Sequence, residues 1–186
     1  YYNKPTQEGL CQYFREVAQS TSLPLIIYNI PGRTGVNVLP ETVARLREIK
    51  NVVGIKEASG SLQQASEVLH RCGNDFILLS GDDGITLPMM AIGGRGSISV
   101  VSNILPKRVA QMVKAALENR WEEAQKIHYE LLPWSIHLFA ETNPIPVKAA
   151  LAMMGKIGEE IRSPLTSATP ATREKLRPLL QQFGLL

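Results

Sequence analysis

A single lysine interrupts an apolar run in the stretch VVGIKEASG, residues 52–60. Lys56 stands where a buried strand would carry another valine or isoleucine, and a lysine is rarely buried unless it is paired or neutral. A neutral lysine amine attacks carbonyl carbons, and burial or a cationic neighbour favours that form. We therefore interpret Lys56 as a covalent nucleophile. The alternative is a structural ion pair between Lys56 and Asp82 or Glu57.

A tyrosine occupies a similar place in the preceding apolar run, PLIIYNI. Tyr28 follows LII as Lys56 follows VVGI. Attack of an amine on a carbonyl gives a carbinolamine, and its formation and dehydration move protons beside the nitrogen. Tyr28 is therefore the candidate proton carrier, and the alternative is a core tyrosine with a satisfied hydroxyl group.

The segment IPGRTG, residues 30–35, follows this tyrosine directly. Its proline and two glycines predict a tight turn that presents Arg33 at the end of the preceding strand. A guanidinium group binds a carboxylate through two parallel hydrogen bonds, so Arg33 is a candidate carboxylate ligand. The alternative is a solvated loop arginine.

Four short apolar runs must position these side chains. They recur every 21–27 residues with helical patterns between the first three, at residues 24–30, 51–58, 75–83 and 96–103. Continuous hydrophobicity is typical of parallel strands covered on both faces, so the order predicts βα units. Each run ends in polar residues, and the carboxyl ends of parallel strands form the active-site face of such folds. These residues are Tyr28, Asn29, Lys56, Glu57, Gly81, Asp82, Asp83, Ser102 and Asn103.

After residue 103 the sequence turns helical, with a helix to cover the fourth strand and about three more. Four βα units are half of an eight-stranded barrel, which typically needs about 250 residues. The start without methionine favours a chain that begins inside such a domain. We predict an α/β half-barrel over residues 1–119 and a helical domain over residues 120–186, in which prolines at 133 and 178 kink or divide their helices.

Composition excludes several classes of protein. The 186 residues are 44% hydrophobic and 20% charged with a net charge of +3, and no basic cluster suits nucleic acid or a membrane surface. The two cysteines indicate free thiols in a reducing compartment, and no apolar run reaches membrane-spanning length. GGRG (93–96) precedes a strand rather than opening a helix, which argues against a phosphate cradle. The three histidines suggest no metal site. We predict a cytoplasmic protein without a bound metal.

Six motifs of the sequence occur in the same order in a known family: YYNKPTQEGL, YNIPGRTG, GIKEASG, LLSGDD, GSISVVSN and NPIPVK. In these motifs the whole chain resembles the C-terminal part of the dihydrodipicolinate synthase family. That family consists of pyruvate-dependent class I aldolases with a TIM barrel and a C-terminal helical extension. The resemblance implies that the chain holds strands 5–8 of the barrel.

The resemblance also implies roles for individual residues. Lys56 would form a Schiff base with pyruvate without an external cofactor, Tyr28 would relay the proton, and Arg33 would hold the carboxylate of L-aspartate 4-semialdehyde. Three further residues match positions that line the pocket: Gly81, Asp82 and Ile98. Tyr2 matches a tyrosine that reaches across a tight dimer interface in a homotetramer, a dimer of dimers. Tyr1 matches a residue near the lysine feedback site at that interface.

The product implied is 4-hydroxy-tetrahydrodipicolinate, on the route to lysine and diaminopimelate. Two alternatives stay open. One is another pyruvate lyase of the superfamily, an N-acetylneuraminate lyase or a 2-keto-3-deoxy acid aldolase, although Arg33 favours the synthase. The other is a catalytically silent half-barrel, because the family's preceding βα units carry a paired-threonine motif of the relay. A half-barrel with open strand edges would associate or require the missing half.

Overall fold

A computed structural model describes residues 2–186, so the prediction for Tyr1 lies outside the described residues. The chain divides into two compact units, residues 1–98 and residues 99–186. The division does not coincide with the predicted domain boundary at residue 119, because the helix over residues 106–117 packs within the second unit.

Parallel strands form a single sheet in the first unit. Within residues 2–98 its order is β1-β2-β3-β4, and the strands are β1 (Leu25–Asn29), β2 (Val52–Glu57), β3 (Ile77–Ser80) and β4 (Gly96–Ser97). Tyr28 is paired with Lys56, and Asn29 is paired with Glu57. Because side chains alternate along a strand, these adjacent pairs face opposite sides of the sheet.

The helices of the first unit are α1 (Gln7–Gln19), α2 (Pro31–Thr34), α3 (Pro40–Arg47), α4 (Leu62–Cys72) and α5 (Thr86–Ala91). Ser61 caps the start of α4, since its hydroxyl oxygen accepts a hydrogen bond from the Gln64 backbone N–H at 3.1 Å. Thr6 caps α1 in the same way. IPGRTG forms one helical turn instead of a bare tight turn, and Gly35 ends that turn with a φ of 68° that favours glycine.

The hydrophobic core of this unit lies on one face of the sheet. Ile27, Ile55 and Leu78 each come from a different strand and are almost completely buried. They share one buried cluster with residues of α1, α3 and α4, including Cys11, Val43, Leu46, Ala65 and Val68. The opposite face exposes Ile26, Tyr28 and Ile98. The sheet therefore has a helix-covered face and an open face.

The fourth predicted strand is much shorter than expected. Only residues 96 and 97 pair with β3. Two flanking hydrogen bonds join the Arg95 N–H to the Leu78 carbonyl at 2.8 Å and the Ile98 N–H to the Ser80 carbonyl at 2.9 Å. Residues 101–103 form a 3₁₀ turn, so the prediction that Ser102 and Asn103 end a strand is wrong. The Ser99 and Ser102 hydroxyl groups bond to the local backbone, which competes with an extended conformation.

Gly54 is expected to be essential for the close approach of β2 and β3. A Cβ atom at this position would lie 2.7 Å from the Cβ of Ile77 and would also meet the backbone of that residue. We expect Gly54→Ala to lower the free energy of unfolding by about 1–3 kcal/mol, because the strands must separate. Urea unfolding monitored by circular dichroism measures this change.

Gly32→Ala is the matched control for that experiment, because nothing lies within 4 Å of a Cβ atom at Gly32. An alanine in the α2 turn should be neutral or slightly stabilising. Equal unfolding midpoints for the two variants would contradict the packing argument.

The second unit is helical. Its helices are α6 (Pro106–Leu117), α7 (Trp121–His137), α8 (Ile145–Met153) and α9 (Pro170–Gln182). In this unit α6 packs on α7, and α9 contacts both α7 and α8. Trp134 is fully buried there with its ring edge-on to Phe183, at 5.7 Å between ring centroids. Helices α7 and α9 continue through Pro133 and Pro178, so these prolines do not divide them, and the alternative that they kink the helices stays a prediction. No helix within residues 2–186 is long and apolar enough to span a membrane.

Candidate functional site

Lys56 and Tyr28 meet on the open face of the sheet. They occupy paired positions on neighbouring strands, and the Lys56 Nζ atom lies 4.0 Å from the centroid of the Tyr28 ring. Lys56 is half-buried, whereas Tyr28 is 46% exposed. The amine therefore stands over an aromatic face at the carboxyl end of the strands, with an open approach for a small carbonyl compound.

Gly81 makes room for the lysine side chain. It follows β3, and a Cβ atom there would lie 3.0 Å from Lys56 Cε and 2.7 Å from Ala58 Cβ. Any larger residue would therefore press on the lysine stem. Gly81, Lys56 and Tyr28 are the predicted site residues that the structure brings together.

The ion-pair alternative for Lys56 has no support within the described residues. No salt bridge found between residues 2 and 186 includes Lys56. Glu57 faces the helix-covered side of the sheet, away from Lys56. The Asp82 side chain accepts a hydrogen bond from the Gly84 N–H at 2.8 Å and caps a 3₁₀ turn.

The remaining predicted residues lie on surrounding elements. Arg33 is exposed in α2, directly after β1, and Ile98 is 48% exposed just beyond β4. Tyr2 is 85% exposed ahead of α1. Their roles stay predictions.

A polar cluster on the covered face is the feature that the sequence interpretation missed. Glu57 and Asn29 were assigned to the active-site face, but both are buried beneath the helices, with exposures of 0% and 1%. Asn29 Nδ2 donates to both Glu57 carboxylate oxygens, at 3.2 and 3.0 Å. The sequence contained the information for this placement. Asn29 directly follows Tyr28 and Glu57 directly follows Lys56, and side chains of neighbouring strand residues point to opposite faces.

A cavity of about 470 Å³ lies beside β1, lined in part by Asn3, Tyr13, Phe14 and Tyr28. Lys56 is not among its lining residues, so this cavity is a hollow beside the edge strand and not a pocket around the amine. Across residues 2–186, no cluster of three or more His, Cys, Asp and Glu side chains could hold a metal ion.

The sequence and the fold were compared with known proteins. The model of the Dihydrodipicolinate synthetase family matches residues 1–183. Proteins named 4-hydroxy-tetrahydrodipicolinate synthase from Geotalea daltonii and Syntrophus aciditrophicus are 55% and 53% identical to the chain over 186 residues. The alignments cover 100% of this chain and 64% of each relative, so the chain spans less than two thirds of their length.

Solved structures give the same result. Dihydrodipicolinate synthase from Thermotoga maritima matches with a TM-score of 0.97 at 47% identity, over 100% of this chain and 64% of that one. The chloride-inhibited enzyme from Acinetobacter baumannii, crystallised with pyruvate, matches with a TM-score of 0.96 at 41% identity, with the same coverage. The predicted fold class is thereby confirmed: βα units of a TIM barrel followed by C-terminal helices.

Proposed function

Because the chain belongs to the dihydrodipicolinate synthetase family, we propose that it supplies the Schiff-base lysine and the proton-relay tyrosine of a pyruvate-dependent aldol condensation. The observation that supports this proposal is the Lys56 Nζ atom over the Tyr28 ring, at 4.0 Å from its centroid. The second substrate would be L-aspartate 4-semialdehyde and the product 4-hydroxy-tetrahydrodipicolinate, in lysine and diaminopimelate biosynthesis. The names of the relatives favour this product over those of other pyruvate lyases.

Lys56 would act first, as the nucleophile. Its neutral amine attacks the ketone carbon of pyruvate, and loss of water from the carbinolamine gives the imine. Loss of a methyl proton then gives the enamine, whose carbon attacks the aldehyde of the second substrate. The iminium nitrogen accepts the electron pair in this sequence, so the chemistry needs no external cofactor.

Tyr28 would carry protons during these steps. Dehydration of the carbinolamine requires a proton on the departing oxygen, and the phenol belongs to the side chain that already contacts the amine. Gly81 would keep the lysine free to reach the substrate, because its missing side chain leaves space for Lys56 Cε. Asp82 and Ile98 would border the same pocket.

Borohydride trapping tests this function directly. The chain is incubated with pyruvate and sodium borohydride, digested, and mapped by mass spectrometry. A reduced pyruvate adduct on the Lys56 peptide is expected, and a sample without borohydride is the control. An adduct spread over exposed lysines such as Lys50, with none on Lys56, would reject the proposal.

Arg33 is expected to bind the carboxylate of the second substrate. In a condensation assay with both substrates, Arg33→Ala should raise the KM for aspartate semialdehyde about 10- to 100-fold, because the charge-assisted hydrogen bonds between the guanidinium group and the substrate carboxylate are lost. Arg33→Lys should fall between, since lysine retains the charge but not the two-pronged geometry. Pyruvate trapping on Lys56 should not change, and a loss of trapping in these variants would contradict the assignment.

The assembly is proposed to be a homo-oligomer, a tetramer built as a dimer of dimers, with Tyr2 completing the proton relay of a neighbour. The high exposure of Tyr2 is consistent with such a contact. The open face of the sheet exposes apolar side chains such as Ile26 and Ile98, and burial of these side chains would also favour association. Sedimentation velocity of the chain measures the assembly, and a stable monomer over the full range of concentration would contradict this proposal.

A further inference from the structure

A fully buried carboxylate directly follows the candidate nucleophile in the chain. Glu57 is 0% exposed, and no salt bridge within residues 2–186 includes it. Burial of a charge is unfavourable unless hydrogen bonds replace the water that the charge loses. Such a residue is retained in a core only where its partners compensate for it.

The groups around Glu57 supply that compensation. Its Oε1 atom accepts from the Ser59 backbone N–H at 2.6 Å, and its Oε2 atom accepts from Gln64 Nε2 at 3.0 Å. Asn29 Nδ2 lies within hydrogen-bond distance of both oxygens. All three partners are donors, whereas a protonated carboxyl group would need an acceptor for its own proton. The surroundings therefore fit the carboxylate anion.

The same contacts join the two strands that carry the candidate site. Asn29 follows Tyr28 on β1, and Glu57 follows Lys56 on β2, so their hydrogen bonds lie one register position beyond the Tyr28–Lys56 pair. Movement of either strand end would change both pairs together. The hydrogen bonds between Asn29 and Glu57 on the covered face therefore constrain the relative position of Tyr28 and Lys56 on the open face.

The Asn37 side-chain amide and the Val38 backbone N–H hold this connection in place. Asn37, which precedes α3, accepts from Asn29 Nδ2 at 2.8 Å and donates to Gln64 Oε1 at 2.7 Å. Asn29 Oδ1 also accepts from the Val38 N–H at 3.0 Å. The segments that follow β1 and β2 are therefore tied to the same carboxylate, and each amide has a defined orientation.

We propose that Glu57 is a positioning residue, whose buried carboxylate clamps Asn29 and so holds the Lys56 amine over the Tyr28 ring. This inference rests on the proposed role of Lys56 as the imine-forming residue. Glu57 does not touch the substrate, because it lies on the covered face of the sheet.

A ring-current measurement tests the position of Lys56 without any substrate. Protons above an aromatic ring resonate upfield, so proton–carbon spectra of protein labelled at lysine Cε should show a shifted Lys56 signal. Lys56→Arg identifies that signal by its absence, and Tyr28→Leu gives its unshifted value. Glu57→Gln is expected to remove most of the upfield shift of the Lys56 signal. The substitution replaces one carboxylate oxygen by an NH₂ group, which cannot accept hydrogen bonds from the surrounding donors.

The second measurement is the rate of pyruvate trapping on Lys56. A displacement of the amine by about 1 Å is enough to slow the reaction on the order of 10- to 100-fold, which is the loss expected for Glu57→Gln. Asn29→Ala should give the same two changes, because it breaks the bond between the strands and leaves the carboxylate in place. The double variant should be no slower than the slower single one.

The control separates position from stability. Ile55 lies on the same strand and the same covered face as Glu57 and is fully buried. Its hydrocarbon side chain forms no hydrogen bond with Asn29, Asn37 or Gln64. Ile55→Val or Ile55→Ala, whichever matches the unfolding midpoint of Glu57→Gln, should retain both the shift and the trapping rate. A full shift in folded Glu57→Gln and Asn29→Ala, or an equal loss in the Ile55 control, would overturn the proposal. Absence of pyruvate trapping in the unaltered protein would count against the proposed function alone. The lysine Cε spectrum is recorded without pyruvate and would still report whether Glu57 positions the amine.

Discussion

Replacing Lys56 with alanine is expected to abolish covalent capture of pyruvate and to lower condensation activity by more than about 1000-fold, as removal of a covalent nucleophile does. Within residues 2–186, Lys56 is the lysine whose amine lies over the Tyr28 ring, so no other lysine is expected to substitute for it. Lys56→Arg should lose capture equally, although it keeps a cation over the ring, because a guanidinium group remains protonated. Mass spectrometry of the intact, borohydride-treated protein measures the loss.

Lys50 provides the matched control for that experiment. It is an exposed lysine that precedes β2 by two residues. Lys50→Ala should capture pyruvate at the rate of the unaltered chain. Equal capture by Lys50→Ala and Lys56→Ala would mean that the reaction reports surface lysines in general, and the assignment of Lys56 would then be wrong.

Removing the hydroxyl group of Tyr28 is expected to give the second-largest effect. Tyr28→Phe keeps the aromatic ring next to Lys56 but removes the proton carrier, so imine formation should slow about 100-fold or more. The lysine itself should stay in place. Stopped-flow trapping at saturating pyruvate measures the rate, and the lysine Cε spectrum reports the position of the amine in the same variant.

Two variants define what this result means. Tyr13→Phe removes the hydroxyl group of an exposed tyrosine on α1 and should leave the rate unchanged. Tyr28→Leu removes ring and hydroxyl together and should be at least as slow as Tyr28→Phe. An unchanged rate for Tyr28→Phe combined with a slow Tyr28→Leu would show that Tyr28 acts as a platform for the amine and carries no proton.

The sequence was sufficient to predict the strands where apolar runs are strong. The strands that hold Tyr28 and Lys56 lie within a residue or two of their predicted limits. The fourth strand was predicted too long because an apolar run does not reveal which residues find a pairing partner. Serine side chains compete for the backbone there, and that competition is decided by tertiary context.

The candidate site was predictable in part for a similar reason. Lys56 was conspicuous because a cation in an apolar run needs an explanation. Glu57 was grouped with it because all polar residues at the strand ends were assigned to one site, although side chains of neighbouring strand residues point to opposite faces. Its partner Gln64 lies on α4, and Gln64 in turn bonds Asn37, which precedes α3, so this network depends on the packing of α3 and α4. Long-range polar contacts of this kind leave little trace in local sequence patterns.

The alternation of faces along β2 restricts how this segment can change during evolution. Lys56 and Glu57 are neighbours in the chain but serve opposite sides of the sheet. A single-residue insertion or deletion between Val52 and Lys56 would exchange them, directing the carboxylate to the open face and the amine into the core. Substitutions can alter one side while the other is preserved, whereas a change of length disrupts both at once. We therefore expect natural variation in β2 to occur by replacement, and length changes to accumulate in the connecting segments.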